Sequence, residues 1–369
     1  MPRPDRITAL VLQGGGALGA YQAGAACALE EAGHAPGWVV GISIGAVNAA
    51  LVCGNPPARR AARLAAFWEE VSARLPSPPG PGLPLPWRLA YETAAAGLVA
   101  GAGVPGFFTP RWPWTGAADS LYDTAPLRAT LEELVDFGWL NAHGPRLSVG
   151  AVDIETGNFA YFDSAREKIG PQHIMASGAI PPGFPPVAVD GRLWWDGGLV
   201  SNTPLQYLLD SLGETPATVF QIDLFSARGT VPATLAEVES RRKDIQFSSR
   251  TRLTTDRYRE LHRLAAAARR LRGRLPAELQ DDPDLARLCG AASEAPVDLV
   301  HLIHRKAAFE TAAKDYDFSR LSMRQHWQSG TDDVARSLAD PRWTGRGGHR
   351  AGLRVFDLTA PAAHGTAGA

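Results

Sequence analysis

Over the first fifty residues, short apolar runs alternate with longer stretches of helix-forming residues, and the alternation predicts β-α-β-α. Residues 7–12 (ITALVL) make an apolar run of the length and branching of a buried strand. Gly14, Gly15 and Gly16 break it, residues 20–32 carry helix formers, and Gly33 stands where a helix C-cap falls. Residues 38–42 (WVVGI) read as a second buried strand, and 44–52 as an apolar helix. Fully apolar strands alternating with helices imply an α/β fold: a mostly parallel central sheet covered on both faces, in three α/β/α layers.

Further along, residues 76–113 interrupt the pattern with nine prolines, several glycines and the exposed-looking aromatics Trp87, Phe107, Phe108, Trp112 and Trp114. An irregular stretch of this length inside a domain reads as a functional loop or lid. Strand character resumes at Arg146–Asp153 (RLSVGAVD). Val187–Val189 and residues 192–195 flank Asp190-Gly191, a hairpin signal, and residues 218–224 (TVFQIDL) form another buried strand. Beyond about residue 226 the chain turns helical and, over 240–274, strongly basic, with Val297–Ile303 as one more candidate strand. These shifts divide the chain into an α/β unit at 1–228, a mainly helical basic extension at 229–345 and a flexible, Gly- and Ala-rich tail at 346–369.

Composition narrows the function classes. A chain of 369 residues holds one large α/β domain with an extension. At 45% hydrophobic and 20% charged it buries a sizeable core, which excludes global disorder. The formal net charge of −1 and the lack of a binding module argue against nucleic acid as a partner. Cys27, Cys53 and Cys289 are odd in number, far apart and form no CxxC pair, as expected of thiols in a reducing compartment. No signal peptide reads out at the N-terminus, and residues 94–108 are too short and glycine-broken for a membrane span. A soluble cytoplasmic protein is the expectation.

Three short motifs carry chemistry. Gly41-Ile42-Ser43-Ile44-Gly45 is a GxSxG pentapeptide between a predicted strand and a predicted helix, the context of a nucleophile elbow. There the serine occupies a sharp turn, the glycines let backbones pass closely, and the helix N-terminus favours developing negative charge. The bland alternative is an ordinary Gly-Ser turn. Gln13-Gly14-Gly15-Gly16-Ala17-Leu18-Gly19 also joins a strand to a helix. Gly14, Gly16 and Gly19 fit the spacing of a dinucleotide cradle, but the acid expected near the end of the second strand is missing, and no P-loop Lys-Ser/Thr pair follows. An oxyanion hole is the better reading, since glycine N–H groups approach a substrate oxygen unobstructed. Asp196-Gly197-Gly198 follows the hairpin, with Trp194 and Trp195 placed to exclude water from the carboxylate and raise its pKa, although a plain turn has the same sequence. Histidine is the usual base for a serine nucleophile, but His34, His143, His173, His262, His301 and His304 lie in no motif that marks a triad member. No HExxH or Cys/His cluster points to a metal, and no cofactor is expected.

Taken together and in this order, the three motifs resemble the patatin-like phospholipase family. Residues 176–187 (ASGAIPPGFPPV) are similar to that family's proline-bearing segment ahead of the aspartate. The resemblance covers roughly residues 7–225, and the region after about 230 looks like the helical extension of a bacterial subgroup. It implies a Ser-Asp dyad without histidine: Ser43 as nucleophile, Asp196 as base, and Gly14, Gly15 and Gly16 as oxyanion donors. The implied reaction is hydrolysis of lipid acyl esters through an acyl-enzyme. Many members have Arg or Lys where this chain has Leu18, which leaves neutral esters, lysolipids and acyl thioesters open beside phospholipids. An acyltransferase or thioesterase using the same nucleophile, a histidine-dependent α/β-hydrolase, and a lipid-sequestering protein without catalysis are the alternatives.

The partner expected is a lipid or acyl-ester substrate. Two segments would meet a membrane surface: the aromatic, proline-rich residues 80–114, and the basic helix at 250–274, where Arg263, Arg270 and Arg274 share a face near Leu271. Peripheral attachment at the inner membrane face is the corresponding localisation. The competing reading is a solvated basic face with an apolar stripe packed on the main domain.

Overall fold

A computed structural model describes residues 6–73, 84–111, 119–305, 310–348 and 351–358. Trp112, Trp114, the proline-rich residues 74–83 and the tail from 359 onward lie outside the described residues.

The chain opens with β1 (Ile7–Leu12), a single 3-10 turn and α1 (Gly19–Glu31), then β2 (Trp38–Gly41), α2 (Ile44–Cys53), α3 (Pro57–Val71) and α4 (Leu85–Ala102). A two-stranded ribbon, β3 (Thr109–Pro110) and β4 (Tyr122–Asp123), precedes α5 (Ala125–Leu134), α6 (Phe137–Ala142) and β5 (Arg146–Asp153). Next come β6 (Phe159–Asp163), α7 (Pro171–Ser177), the hairpin of β7 (Val187–Val189) and β8 (Arg192–Asp196), α8 (Leu205–Ser211) and β9 (Ala217–Asp223). The C-terminal third holds α9 (Leu235–Arg272), α10 (Ala277–Gln280), α11 (Pro283–Cys289), β10 (Val297–Ile303), α12 (Arg320–Ala339), α13 (Pro341–Thr344) and β11 (Leu353–Asp357).

The central sheet runs β11-β10-β9-β1-β2-β5-β8-β7, with β6 on the other side of β5. From β11 to β5 every pairing is parallel, and β6, β7 and β8 run antiparallel to their neighbours. Side chains alternate across it. Leu10 and Leu12 pack into one core with α1, α2 and α3, while Ala9 and Val11 pack into a second core with α8. This is the expected three-layer arrangement. All ten residues of α2 are buried, which explains why its sequence is apolar all round.

Two sequence expectations are corrected. Within the stretch expected to be irregular, residues 85–102 form an α-helix. Its prolines sit at the N-cap and in the first turn, where a missing N–H costs nothing, so they start the helix instead of breaking it. Phe107 and Phe108, which look exposed in sequence, are buried; Trp87 is 69% exposed. The Asp190-Gly191 turn matches its reading: both residues have positive φ, 49° and 76°, the requirement of a type I′ hairpin.

The extension is built into the α/β unit. β10 pairs with β9 from Val297 to Ile303, and α12 packs along α1. The helices approach so closely that a Cβ on Gly24 would stand 2.1 Å from the Trp327 carbonyl oxygen, and one on Gly330 2.1 Å from that of Tyr21. The expected line at 228/229 therefore runs between two neighbouring strands of one sheet. α9 begins with a capping box, in which Thr234 accepts from the Glu237 N–H while the Glu237 carboxylate accepts from Thr234. No described helix is long and apolar enough to cross a membrane.

Candidate active site

Ser43 sits on the turn between β2 and α2 with φ 56° and ψ −125°, a conformation that costs a non-glycine residue about 1–3 kcal/mol. The surroundings enforce it. A Cβ on Gly41 would lie 2.3 Å from the Gly45 carbonyl oxygen, and one on Gly45 2.4 Å from that of Leu12. Both glycines of the pentapeptide are thus demanded by backbone-to-backbone contact. The Ser43 N–H is held from the far side by the carbonyl and hydroxyl oxygens of Ser177, each at 3.1 Å.

Asp196 reaches the same place through strand register. β2 ends at Gly41, opposite Val149, whereas β5 continues to Asp153. With β6 on its other edge, β5 offers its remaining length to β8, whose last residue, Asp196, pairs with Ala151. The carboxylate is delivered just beyond the end of β2, where Ser43 begins α2. The Ser43 hydroxyl lies close enough to favour the carboxylate's ionised form. Gly198 N–H donates to its Oδ1 at 2.7 Å, and the Asp196 N–H is fixed by the Ala179 carbonyl at 3.0 Å. Residues 177–179 therefore brace the backbone of both Ser43 and Asp196.

Burial pushes the Asp196 carboxyl up to about 6, against the opposing effects of Ser43 and Gly198. At neutral pH it is mostly ionised, yet it is a stronger proton acceptor than a solvated carboxylate.

The glycine loop forms the third wall. A Cβ on Gly14 would stand 3.0 Å from Ser43 Cβ and 2.4 Å from Asn202 Oδ1. Asn202 clamps this residue, its side-chain amide donating to the Gly14 carbonyl at 2.9 Å and its own carbonyl accepting the Gly14 N–H at 3.3 Å. None of the described hydrogen bonds uses the N–H of Gly15 or Gly16. Gly16 has φ 56°, and a Cβ there would meet the Asp315 carbonyl oxygen at 2.2 Å, so the C-terminal segment packs directly on the loop.

Ser43, Asp196 and Gly14, Gly15 and Gly16 line one cavity of about 210 Å³. Its walls are apolar: Ile44, Val47, Phe107, Phe108, Phe184 and Phe318 among them, with the Phe108 ring 4.7 Å from Tyr122 and 5.1 Å from Phe184. No histidine is among the described residues lining it. Leu18 is fully buried and brings no charge to it. A cation arrives instead from α9, since Lys243 lines the cavity and is ion-paired with Asp315 at 2.7 Å.

Sequence reasoning missed Ser177, Asn202, Lys243 and Asp315. Ser177 lies within the proline-bearing segment noted above and Asn202 four residues beyond Gly198, so proximity to a motif was the only signal for those two. Lys243 and Asp315 carried none.

Residues 10–209, more than half of the chain, match the family described as Patatin-like phospholipase, and residues 245–350 match one described as Patatin phospholipase. No curated protein matches the sequence significantly. Among solved structures, the chain is similar to VipD from Legionella pneumophila at 15% identity and a TM-score of 0.33, covering 89% of this chain and 67% of that one. It is also similar to the full-length ExoU–SpcU complex from the type III secretion system of Pseudomonas aeruginosa at 16% identity and a TM-score of 0.31, covering 69% and 51%. A further structure of that complex matches at 19% identity and a TM-score of 0.30, covering 78% and 60%. The chain spans about half to two thirds of the length of these proteins.

Proposed function

From a chain that belongs to the patatin-like phospholipase family, we propose a serine hydrolase of lipid acyl esters that works through Ser43 and Asp196 without a histidine. The observation that carries this reading is a buried carboxylate, Asp196, lining the same apolar cavity as Ser43 and electrostatically coupled to its hydroxyl, with no histidine among the described lining residues.

The steps follow from the groups present. Ser43 Oγ attacks the ester carbonyl carbon as its proton passes to the Asp196 carboxylate. The carbonyl oxygen becomes an oxyanion facing the N–H groups of Gly15 and Gly16; the Gly14 N–H is engaged by Asn202 and contributes by holding the loop. Donors of this kind are worth about 3–4 kcal/mol each in the transition state. Collapse breaks the bond to the leaving alcohol, which takes the proton back from Asp196. Water then attacks the acyl-enzyme and gives a proton to Asp196; collapse breaks the ester bond to Ser43, Asp196 returns the proton to Ser43 Oγ, and the fatty acid leaves.

The phenylalanine-lined walls suit an acyl chain. The Lys243–Asp315 pair, itself neutral overall, supplies polar groups to the same cavity but does not favour an anionic head group by net charge, so neutral esters, lysolipids and acyl thioesters stand beside phospholipids as substrates. Three free cysteines fit a reducing compartment, consistent with a cytoplasmic protein.

Labelling by a fluorophosphonate, together with turnover of short-chain nitrophenyl esters, tests the assignment. Ser43→Ala abolishes both; turnover retained in that variant rejects the nucleophile. A dead histidine variant alongside an active Asp196→Asn variant rejects the dyad.

A further inference from the structure

Away from the catalytic cavity, three side chains of the C-terminal third meet in the interior. His304 follows the end of β10, Glu310 precedes the segment that carries Asp315, and His326 lies on α12. They are 3%, 4% and 3% exposed. His304 Nε2 stands 2.9 Å from Glu310 Oε1, and His326 Nε2 stands 3.4 Å from the same oxygen, outside hydrogen-bonding geometry. One donor atom from each residue falls within a sphere where all three lie within 4.8 Å of one another.

This cluster is poorly satisfied by hydrogen bonds alone. Neither ring nitrogen of His326 has a partner, nor has Glu310 Oε2. Buried polar atoms left unpaired cost about 1–3 kcal/mol each, and in native proteins they call for an explanation such as an ion. Two further carboxyls, Glu92 and Asp317, are buried near Glu310.

We propose that His304, Glu310 and His326 bind one divalent cation of the zinc class. Two imidazoles and a carboxylate are a ligand set that zinc favours, and tetrahedral bonds of about 2.0–2.1 Å place neighbouring ligand atoms about 3.4 Å apart, close to the spacing found here. The unpartnered second oxygen of Glu310, or a water, completes the coordination. His304 also lines a separate cavity of about 400 Å³ with Arg241, Asp244 and Lys314, which provides an entry path. The site has a structural purpose: it ties the end of β10 and α12 to the start of the segment whose Asp315 carbonyl packs on Gly16. None of the three residues touches the catalytic cavity.

The test uses the full-length protein and does not depend on ester turnover. Metal analysis of protein purified without chelator yields about one zinc per chain, and the chelator-stripped protein takes up zinc chloride in calorimetry with a stoichiometry near one. Zinc raises the melting temperature of the stripped protein by several degrees. His326→Gln and Glu310→Gln, with far-ultraviolet circular dichroism like that of the unaltered chain, lose the uptake and the thermal shift. Stripped, folded protein that takes up no zinc and melts at the same temperature with and without it overturns the proposal. So do variants that bind as much zinc as the unaltered chain. Should either variant fail to fold, the titration of the unaltered chain decides alone.

Discussion

At the scale of single residues, Asp196 concentrates both the chemistry and its cost. The folded carboxyl lies near 6, against an ordinary value of 3.8. Between about pH 4 and 6 the folded state therefore holds a proton that the unfolded state has released, and stability falls as pH rises through that window. Above it, ionised Asp196 costs the fold roughly 3 kcal/mol. Asp196→Asn removes the charge while keeping an oxygen for the Gly198 N–H. We expect this variant to have almost no ester turnover, yet to melt at a higher temperature than the parent at pH 7.5; calorimetry and a turnover assay on one preparation check both. The same titration sets the pH profile. A protonated Asp196 cannot accept the serine proton, so kcat/KM should be about half its plateau near pH 6, fall about tenfold per pH unit below about 5, and stay flat from about pH 7 to 8. A profile that holds its plateau down to pH 4 contradicts this role for the carboxylate. Ser43→Ala, by contrast, should lose all turnover and change stability little, since the elbow is enforced by Gly41 and Gly45 and by the Ser177 brace.

Among the elements, some are legible in sequence and others are not, for identifiable reasons. β1, α1, β2 and α2 fall within a residue or two of where apolar runs and glycines put them, because each is specified by its own residues. The β7–β8 turn is equally local, since Asp-Gly satisfies two positive φ angles. α4 was obscured because proline ends a helix in one position and starts it in another, and only the position of the first turn distinguishes the two. The α1–α12 crossing is invisible in the sequence of either helix, since Gly24 and Gly330 are separated by three hundred residues and each looks like a weak point. Gly330→Leu tests it. Its side chain would start 2.1 Å from the Tyr21 carbonyl oxygen. A loss at or above the upper end of the usual overpacking range of about 1–3 kcal/mol should appear as a lower denaturation midpoint. An unchanged midpoint would show that the helices part without penalty.

For the whole molecule, the central sheet settles how the two parts of the chain depend on each other. β9 pairs with β1 on one side and β10 on the other. A chain ending at residue 228 would leave a buried, apolar strand as an open edge and would strip α12 from α1. We expect that truncated protein to aggregate, with light scattering or size exclusion as the readout; a monodisperse, melting domain would show that residues 1–228 stand alone.

What the sequence determined by itself was local: the alternating layers, the strained serine between two glycines, the glycine loop ahead of it, and an aspartate at a hairpin's end. Each depends on backbone conformations that neighbouring residues dictate. Tertiary structure decided what those pieces face. β5 outruns β2, so Asp196 arrives beside Ser43; Phe107 and Phe108 turn inward to wall the cavity; and Lys243 and Asp315 reach it from the C-terminal third. The meeting of His304, Glu310 and His326 is of the same kind. Such encounters depend on register and helix crossing, which are set by the packing of the whole sheet and leave no mark in the spacing of residues along the chain.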